Sequence, residues 1–237
     1  MHIGNNYQVN WNKTIMKKLV NIVSIFISLC LIISCERGDQ HYYEYTNETQ
    51  TYDGTILQYI ESRPGTFDSL VLVLDRLPEL RKTLGTESGE LTLFAVTNRS
   101  FEIAVKAMNV ARGLSQKSPL YLEDIDKLEL DSLVSRYVFT EKFDTEELQP
   151  FREGRTVKSA RFNYDMNLLY KITDASGLIE GGQQQILLSD VNNSIFQRYW
   201  KTINTAAVNL KTKNGVIHVL SSGHDFGFNK LTTKFSQ

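Results

Sequence analysis

Residues 91–101, LTLFAVTNRSF, decide the fold of this chain, because a strand here leads directly into a helix. The run from Leu91 to Val96 barely alternates between polar and apolar side chains, which is typical of a strand buried on both faces. Thr97 and Asn98 follow, and the side chains of such residues satisfy free N–H groups at a helix start. We therefore expect Asn98 to cap a helix that contains Phe101.

A second decisive stretch, residues 214–220, reads NGVIHVL. The Asn214-Gly215 pair accepts positive φ angles at little cost, so it predicts a tight hairpin turn. The apolar residues that follow predict a final buried strand. His218 stands between Ile217 and Val219, and we expect it to be a hydrogen-bonded core histidine, not a ligand.

The first half of the chain reads as helical. From Phe67 to Leu77 apolar residues recur in steps of three and four, which makes one apolar helix face. Thr66 can cap this helix, Pro78 should end or kink it, and Gly85 is a plausible C-terminal stop for the continuation.

The second half reads mostly as strand. Apolar runs separated by Gly, Asn or Asp occur at 156–158, 168–172, 186–188 and 206–210. Gly181-Gly182 lies where a further hairpin turn is expected. Because the helices come first along the chain and the antiparallel strands come later, the sequence predicts an α+β domain.

Three of these segments, in this order, resemble the fasciclin domain, a module of exported and surface proteins. Residues 92–101 are similar to the strand-to-helix box TLFAPTNxAF of the family. Residues 133–139 stand where the family has a leucine-rich helix ending in Tyr-His-Val-Val, and residues 214–220 are similar to the closing strand NGVIHVID. The resemblance implies a β-sandwich wedge with packed N-terminal helices over residues 54–228. It implies structural roles for Phe94, Thr97, Asn98, Phe101, Asn214, Gly215 and His218.

The chain departs from the family pattern at two places. Val96 replaces the usual proline of the first box. Arg136 and Tyr137 stand at the usual Tyr and His, so the Tyr-His pair linked to integrin binding in animal members is absent. An animal-type adhesion site is therefore not expected.

The N-terminal region resembles a bacterial lipoprotein signal. A basic start at Lys17-Lys18 precedes an apolar run over residues 19–33, followed by Ser34 and Cys35. Its length of about 15 residues is short for a membrane span, which needs about 20, and fits a secretory signal. The resemblance to the lipobox implies a signal peptide over residues 16–34 and lipidation of Cys35. An ordinary cleaved signal or a buried core helix remains an alternative.

The remaining segments complete the expected organisation. We interpret residues 1–15 as an over-extended start upstream of Met16 and residues 229–237 as a C-terminal tail. Residues 35–53 show no apolar period and predict a flexible tether. The expected location is the outer membrane, lipid-anchored and surface-exposed, with the periplasmic face as the alternative.

The charge balance and the cysteine content of the chain limit its expected partners and disulfides. The chain has 26 Lys and Arg against 27 Asp and Glu, and removing the three lysines of residues 1–35 leaves a mature net charge of −4. This balance gives no positive field for nucleic acid. Cys30 would leave with the signal and Cys35 would carry lipid, so no disulfide is expected within the mature monomer.

Few residues offer catalytic or metal chemistry. The mature chain keeps His41, His218 and His224, and no metal-ligand or phosphate-loop spacing occurs, so no metal or cofactor is predicted. The run 221–225 contains Ser, His and Asp, but triads assemble from separate parts of a fold. The carboxylate pairs Asp124/Asp126 and Glu146/Glu147 are better explained as loop or helix-start acids. The chain is not predicted to be an enzyme.

The candidate binding surface consists of Phe196, Tyr199 and Trp200, at i, i+3 and i+4. Exposed aromatic rings can stack on sugars or anchor a protein contact; the alternative is that this segment packs on the sandwich. The predicted function is adhesion, or interaction with a protein or glycan, at the bacterial surface. An accessory subunit of an outer-membrane nutrient (glycan) uptake assembly is the main alternative, and a glycan-modifying enzyme is less favoured. The oligomeric state stays open.

Overall fold

The computed structural model describes residues 17, 18, 21, 50–174 and 182–236. Residues 1–44 and 45–237 are two separate units, and in the first the three described residues are helical. The predictions for residues 1–15, for Cys35, for Gly181 and for most of the signal and tether lie outside the described residues. None of the described helices has the length and apolarity of a membrane span.

The second unit combines helices with one sheet. Its described helices are α1 (Ile56–Glu61), α2 (Asp68–Asp75), α3 (Pro78–Gly85), α4 (Asn98–Leu114), α5 (Lys127–Val134), α6 (Thr145–Leu148) and α7 (Lys230–Phe235). Its described strands are β1 (Leu91–Ala95), β2 (Val138–Phe139), β3 (Arg155–Lys158), β4 (Asp165–Ile172), β5 (Gln184–Asp190), β6 (Lys201–Thr212) and β7 (Gly215–Leu220). Short 3-10 turns lie at Leu122–Asp124, Ser135–Tyr137 and Gln197–Tyr199.

The two decisive stretches lie side by side in the sheet. Its strand order is β2-β1-β7-β6-β5-β4-β3. Strands β1 and β7 run parallel, with Leu93 opposite Ile217 and Phe94 opposite His218, whereas the other named pairs are antiparallel. The two stretches are therefore neighbours in one sheet, and the predicted α+β fold class is confirmed.

Strand β6 joins the two halves of the sheet. Its first residues, Lys201 to Asn204, pair with β5, and its second part pairs with β7 through two register shifts. Such irregularities bend a strand and let it pass from one half of a folded sheet to the other. The free edges then meet, because the N–H of Ala160 donates to Val138 O at 2.8 Å. The result is a nearly closed sheet around a single core.

The turn between β6 and β7 ties the helices to the sheet. The buried Asn214 side chain accepts from Ile56 N at 2.8 Å and donates to the carbonyls of Leu84 at 2.9 Å and Thr86 at 2.8 Å. Gly215 has φ +156°, and a Cβ there would lie 2.0 Å from Leu91 O. Only glycine lets β1 approach this closely.

The predicted capping role of Asn98 is wrong. Its side chain accepts from Ser69 N at 2.8 Å and donates to Gly65 O at 3.0 Å, so it caps the start of α2 instead of its own helix. Thr97 is the N-cap of α4 without a side-chain cap bond. Thr66 does not cap α2 either, because the N-cap position belongs to Phe67.

Pro78 separates two helices, as expected. Helix α2 ends at Asp75, and Pro78 occupies the start of α3, where its missing N–H has no partner to lose. The prediction that Gly85 ends this continuation agrees with the last residue of α3.

Both domain boundaries need correction. Residues 230–235, predicted as tail, form α7, whose Leu231 is fully buried. The Arg112 side chain on α4 fixes its end by donating to Phe235 O at 2.6 Å. At the other end, residues 50–52 run beside β6, because Lys211 N donates to Gln50 O and Tyr52 N donates to Lys211 O. Apolar burial and strand pairing therefore extend the fold in both directions.

Candidate functional site

The predicted binding residues lie on the connection between β5 and β6, and we call residues 195–200 the aromatic loop. Asn192 and Asn193 have φ angles of 53° and 55°, which Asn tolerates better than most residues, and they turn the chain after β5. The Asp190 carboxylate accepts from Asn192 N at 2.8 Å. These local contacts hold the start of the loop.

The aromatic loop presents apolar side chains to solvent. Ile195 is 87% exposed, Phe196 56% and Tyr199 51%. Trp200 is half-buried, and its indole N–H donates to Ser194 O at 2.7 Å. The i, i+3, i+4 spacing corresponds to a single 3-10 turn over Gln197–Tyr199, not to a longer helix face. Phe196 and Tyr199 are thus available for contact, while Trp200 supports the loop.

Arg198 lies between the two exposed rings. Its guanidinium is 5.2 Å from the Phe196 ring centroid and 4.8 Å from that of Tyr199, within the range of cation–π contact. The rings themselves meet edge to face at 6.4 Å. Arg198 forms no ion pair within the described part of the chain. The rings therefore hold a cation whose donors face solvent.

Sequence reasoning missed Ile195 and Arg198. The signal that could have found Arg198 is charge: residues 191–224 contain no Asp or Glu, although the chain as a whole is slightly acidic. The aromatic loop carries Arg198, and Lys201 follows it. The site is therefore basic as well as apolar.

The aromatic loop and the point where the chain enters the domain lie at opposite ends of β6. Lys201 follows the loop directly, and Thr51 pairs with Lys211 near the other end of the strand. The ten residue steps from Lys201 to Lys211, at about 3.3 Å each, give a separation of up to about 33 Å between the two points, and the bulges in β6 shorten it.

All three residues that depart from the family pattern, Val96, Arg136 and Tyr137, are buried. Arg136 forms an ion pair with Asp190 at 3.1 Å and lies 3.7 Å over the Tyr164 ring. The Tyr137 hydroxyl donates to His224 Nε2 at 2.6 Å and accepts from Gly227 N at 2.7 Å. Burial raises the pKa of Tyr137 well above its usual value and lowers the pKa of His224 to about 3. These contacts are structural.

His218 is fully buried in β7, opposite Phe94 of the neighbouring strand β1. Its Nε2 donates to Phe143 O at 2.8 Å and its Nδ1 accepts from Asn209 N at 3.2 Å. Burial lowers its pKa to about 4, so the ring is neutral at pH 7. The side chain of Asn209, a residue with φ 60°, accepts from Thr145 N at 3.0 Å. His218 thereby holds the β6 bulge near the start of α6.

The remaining motif residues also serve the core. Phe94 is fully buried, 5.0 Å from the His218 ring. Phe101 packs on Phe226 at 4.3 Å, and Thr97 is half-buried.

The catalytic candidates do not assemble. His224 Nε2 is engaged by Tyr137, and the backbone N–H of His224 donates to Ser221 O. Asp126 caps α5 by accepting from Leu128 N at 2.8 Å, and Asp124 accepts from Tyr121 N. Glu146 and Glu147 lie in the first turn of α6. Across the described ranges no three His, Cys, Asp or Glu side chains converge as metal ligands.

Comparison with solved structures finds a similar fold in a FAS1 domain pair from the insect cell adhesion molecule fasciclin I, with 15% sequence identity and a TM-score of 0.48. The similarity covers 73% of this chain and 50% of that one, so the present chain spans about half the length of the insect protein's solved chain. No family model matches the sequence. No curated protein matches it either.

Proposed function

We propose that this protein is a lipid-anchored bacterial member of the fasciclin family and that its domain mediates non-catalytic adhesion at the cell surface. The observation that carries the proposal is the aromatic loop, where Phe196 and Tyr199 are more than half exposed around Arg198. Tyr, Trp and Arg are the residues that dominate binding energy at protein interfaces. The family assignment rests on the motif stretches in β1 and β7.

The position of the loop supports presentation away from the membrane. The tether would enter the domain beside Lys211, whereas the aromatic loop precedes Lys201 at the far end of β6. A lipid on Cys35 would therefore be connected to the domain at the end away from the aromatic loop. The other end would face a protein or glycan partner on the outside of the outer membrane, or in the periplasm if the anchor lies on the inner face.

Binding assays on the aromatic loop test the adhesion role. The unit 45–237 is compact with its own core, so we expect it to fold alone. Coated on beads, it should bind bacterial or host surface preparations, and the double variant F196S/Y199S should lose binding by at least about tenfold. The matched control is Leu114→Ser, because Leu114 is 85% exposed on α4. Equal loss in the control, or none in the loop variant, contradicts the proposal.

The anchor is tested separately in cells. Cys35→Ser in the full chain should move the protein from the membrane and detergent phases to the soluble fraction. Membrane association that persists in this variant contradicts lipidation of Cys35. Protease shaving of intact cells then distinguishes the two faces of the outer membrane, because only a surface-exposed domain is cut.

A further inference from the structure

Two cations from different parts of the fold converge on the segment that leads into the aromatic loop. Asp190 is the last residue of β5, and its side chain is buried. Arg136, in the 3-10 turn after α5, forms an ion pair with its carboxylate at 3.1 Å. Lys230, at the start of α7, lies 3.4 Å from the same carboxylate oxygen. The Asp190 side chain therefore joins β5 to two other elements of the fold.

The same contacts reach the turn that precedes the aromatic loop. The second carboxylate oxygen of Asp190 accepts from Asn192 N at 2.8 Å, and Lys230 Nζ donates to Asn192 Oδ1 at 2.8 Å. Both the backbone N–H and the side-chain oxygen of Asn192 are thus held. Its φ of 53° lies in the left-handed region, and such backbone conformations persist where surrounding contacts fix them.

The Arg136 side chain is itself held in place. Its guanidinium carbon lies 3.7 Å from the Tyr164 ring centroid, and its Nη1 donates to Ser132 O. Together with the bond to Asp190, these contacts fix the guanidinium on three sides, and the residue is only 5% exposed. A supporting side chain whose own conformation is fixed can hold the group that it binds in one position.

We infer that Arg136 and Lys230 are positioning residues of the aromatic loop. Through the contact between Asp190 and Asn192, they fix the direction in which the chain leaves β5 and so hold the exposed rings in one arrangement. This inference rests on the proposed function, because it takes the aromatic loop as the binding surface. Neither cation needs to touch the partner, since affinity falls in proportion to the fraction of molecules in the binding conformation.

Lys234 offers a matched control on the same helix. Lys230 and Lys234 lie about one turn apart on α7, and each forms an ion pair with a carboxylate. Lys234 binds Glu129 of α5, whereas Lys230 also binds the turn before the aromatic loop. Loss of either cation removes one partly exposed ion pair, but the loss of Lys230 also removes the contact to Asn192.

Trp200 reports on the conformation of the loop. It is the single Trp of residues 45–237, and its indole N–H donates to Ser194 O on the same connection. A loop that leaves its observed conformation should expose this half-buried ring more often. Quenching of Trp200 fluorescence by acrylamide therefore measures the loop independently of any partner.

Variants of the unit 45–237 test the inference by Trp200 quenching and by binding to the surface preparations. Lys230→Met should increase quenching and weaken binding by about threefold to tenfold, since the binding conformation becomes a smaller fraction of the population. Arg136→Met should change both quantities further. Lys234→Met should match the parent in quenching and bind within about twofold of it.

Because Arg136 is buried, Arg136→Met is compared only where circular dichroism shows a folded domain. Lys230→Met, at a side chain that is 30% exposed, carries the test if Arg136→Met does not fold. Parental quenching in Lys230→Met overturns the inference, and so does an equal increase in Lys234→Met. Increased quenching with parental binding also overturns it, because the loop conformation would then not affect recognition.

The double variant F196S/Y199S separates these failures from failure of the proposed function. If it loses surface binding while Lys230→Met behaves as the parent, the inference fails and the proposed function stands. If F196S/Y199S binds as the parent does, the proposed function fails and the inference fails with it.

Discussion

The β1–β7 pair and the aromatic loop differ in how strictly their structures restrict the residues that fit there. In the pair, Phe94, Asn214 and Gly215 are buried or confined by close backbone contact, so few substitutions fit. In the loop, Ile195 and Phe196 face solvent, and their loss would leave the core unchanged. The recognisable motifs of this chain thus specify its fold, whereas its candidate binding surface lies in a segment that no motif covers.

Gly215→Ala should give the largest loss of stability. The added Cβ would lie 2.0 Å from Leu91 O at φ +156°, so β1 and β7 must separate, at a cost of about 4 kcal/mol or more. Gly113→Ala is the control, because a Cβ on this helical residue meets no atom within 4 Å outside the helix, and it should stabilise by up to about 1 kcal/mol. Urea denaturation measures both; a mild effect at Gly215 contradicts the close approach.

Asn214→Ala should cost about 3 kcal/mol, since it leaves Ile56 N, Leu84 O and Thr86 O without their partner. Asn98→Ala should cost about 1 kcal/mol, as for a helix cap. We expect the loss in free energy of unfolding to be larger for Asn214→Ala than for Asn98→Ala, because the β6–β7 turn contributes more to stability than the α2 cap does. The opposite order would mean that the turn does not organise the helices.

Acid should destabilise the core through its two buried histidines. His218 and His224 have pKa values lowered by burial to about 4 and about 3, while both protonate near 6.5 when unfolded. Their stability contribution is therefore complete above pH 6.5 and falls as pH drops toward 4, by about 1.4 kcal/mol per pH unit for each histidine. Denaturation at pH 7, 6 and 5 measures how the free energy of unfolding falls with decreasing pH. His218→Gln should reduce this fall by about half.

Phe196→Ser and Tyr199→Ser should give the smallest changes in stability, within about 0.5 kcal/mol, because exposed substitutions away from the core rarely cost more. Thermal unfolding measures this. A loss of several degrees would show that the loop packs on the domain after all, which would remove the contrast with the β1–β7 pair.

Long apolar runs and motif dipeptides made the strands of the pair predictable from sequence. β1 and β7 fall where their apolar residues place them, and Asn214-Gly215 forms the expected turn. The capping prediction for Asn98 failed because capping rules consider only neighbouring residues, whereas its side chain reaches a helix some 30 residues earlier in the chain. α7 was missed because its burial comes from Leu231 and a contact with Arg112 across the fold.

The aromatic loop was predictable only in part. The spacing of Phe196, Tyr199 and Trp200 identified the segment but suggested a helix face, and the structure separates Trp200 from the two exposed rings. The lack of acids around Arg198 marked the segment as basic, but it did not place this side chain between the two rings. Its position between the rings depends on the turn that Asn192 and Asn193 introduce, and single-sequence patterns do not specify such geometry.

Some residues of this domain determine the fold and others the binding surface, and measuring stability and binding on the same two variants tests this separation most directly. F196S/Y199S should keep the parent's free energy of unfolding and lose surface binding by at least about tenfold. Asn214→Ala, assayed where it remains folded, should be less stable and bind as the parent does. If the loop variant binds normally, or if Asn214→Ala loses binding while folded, the aromatic loop is not the recognition surface of this domain.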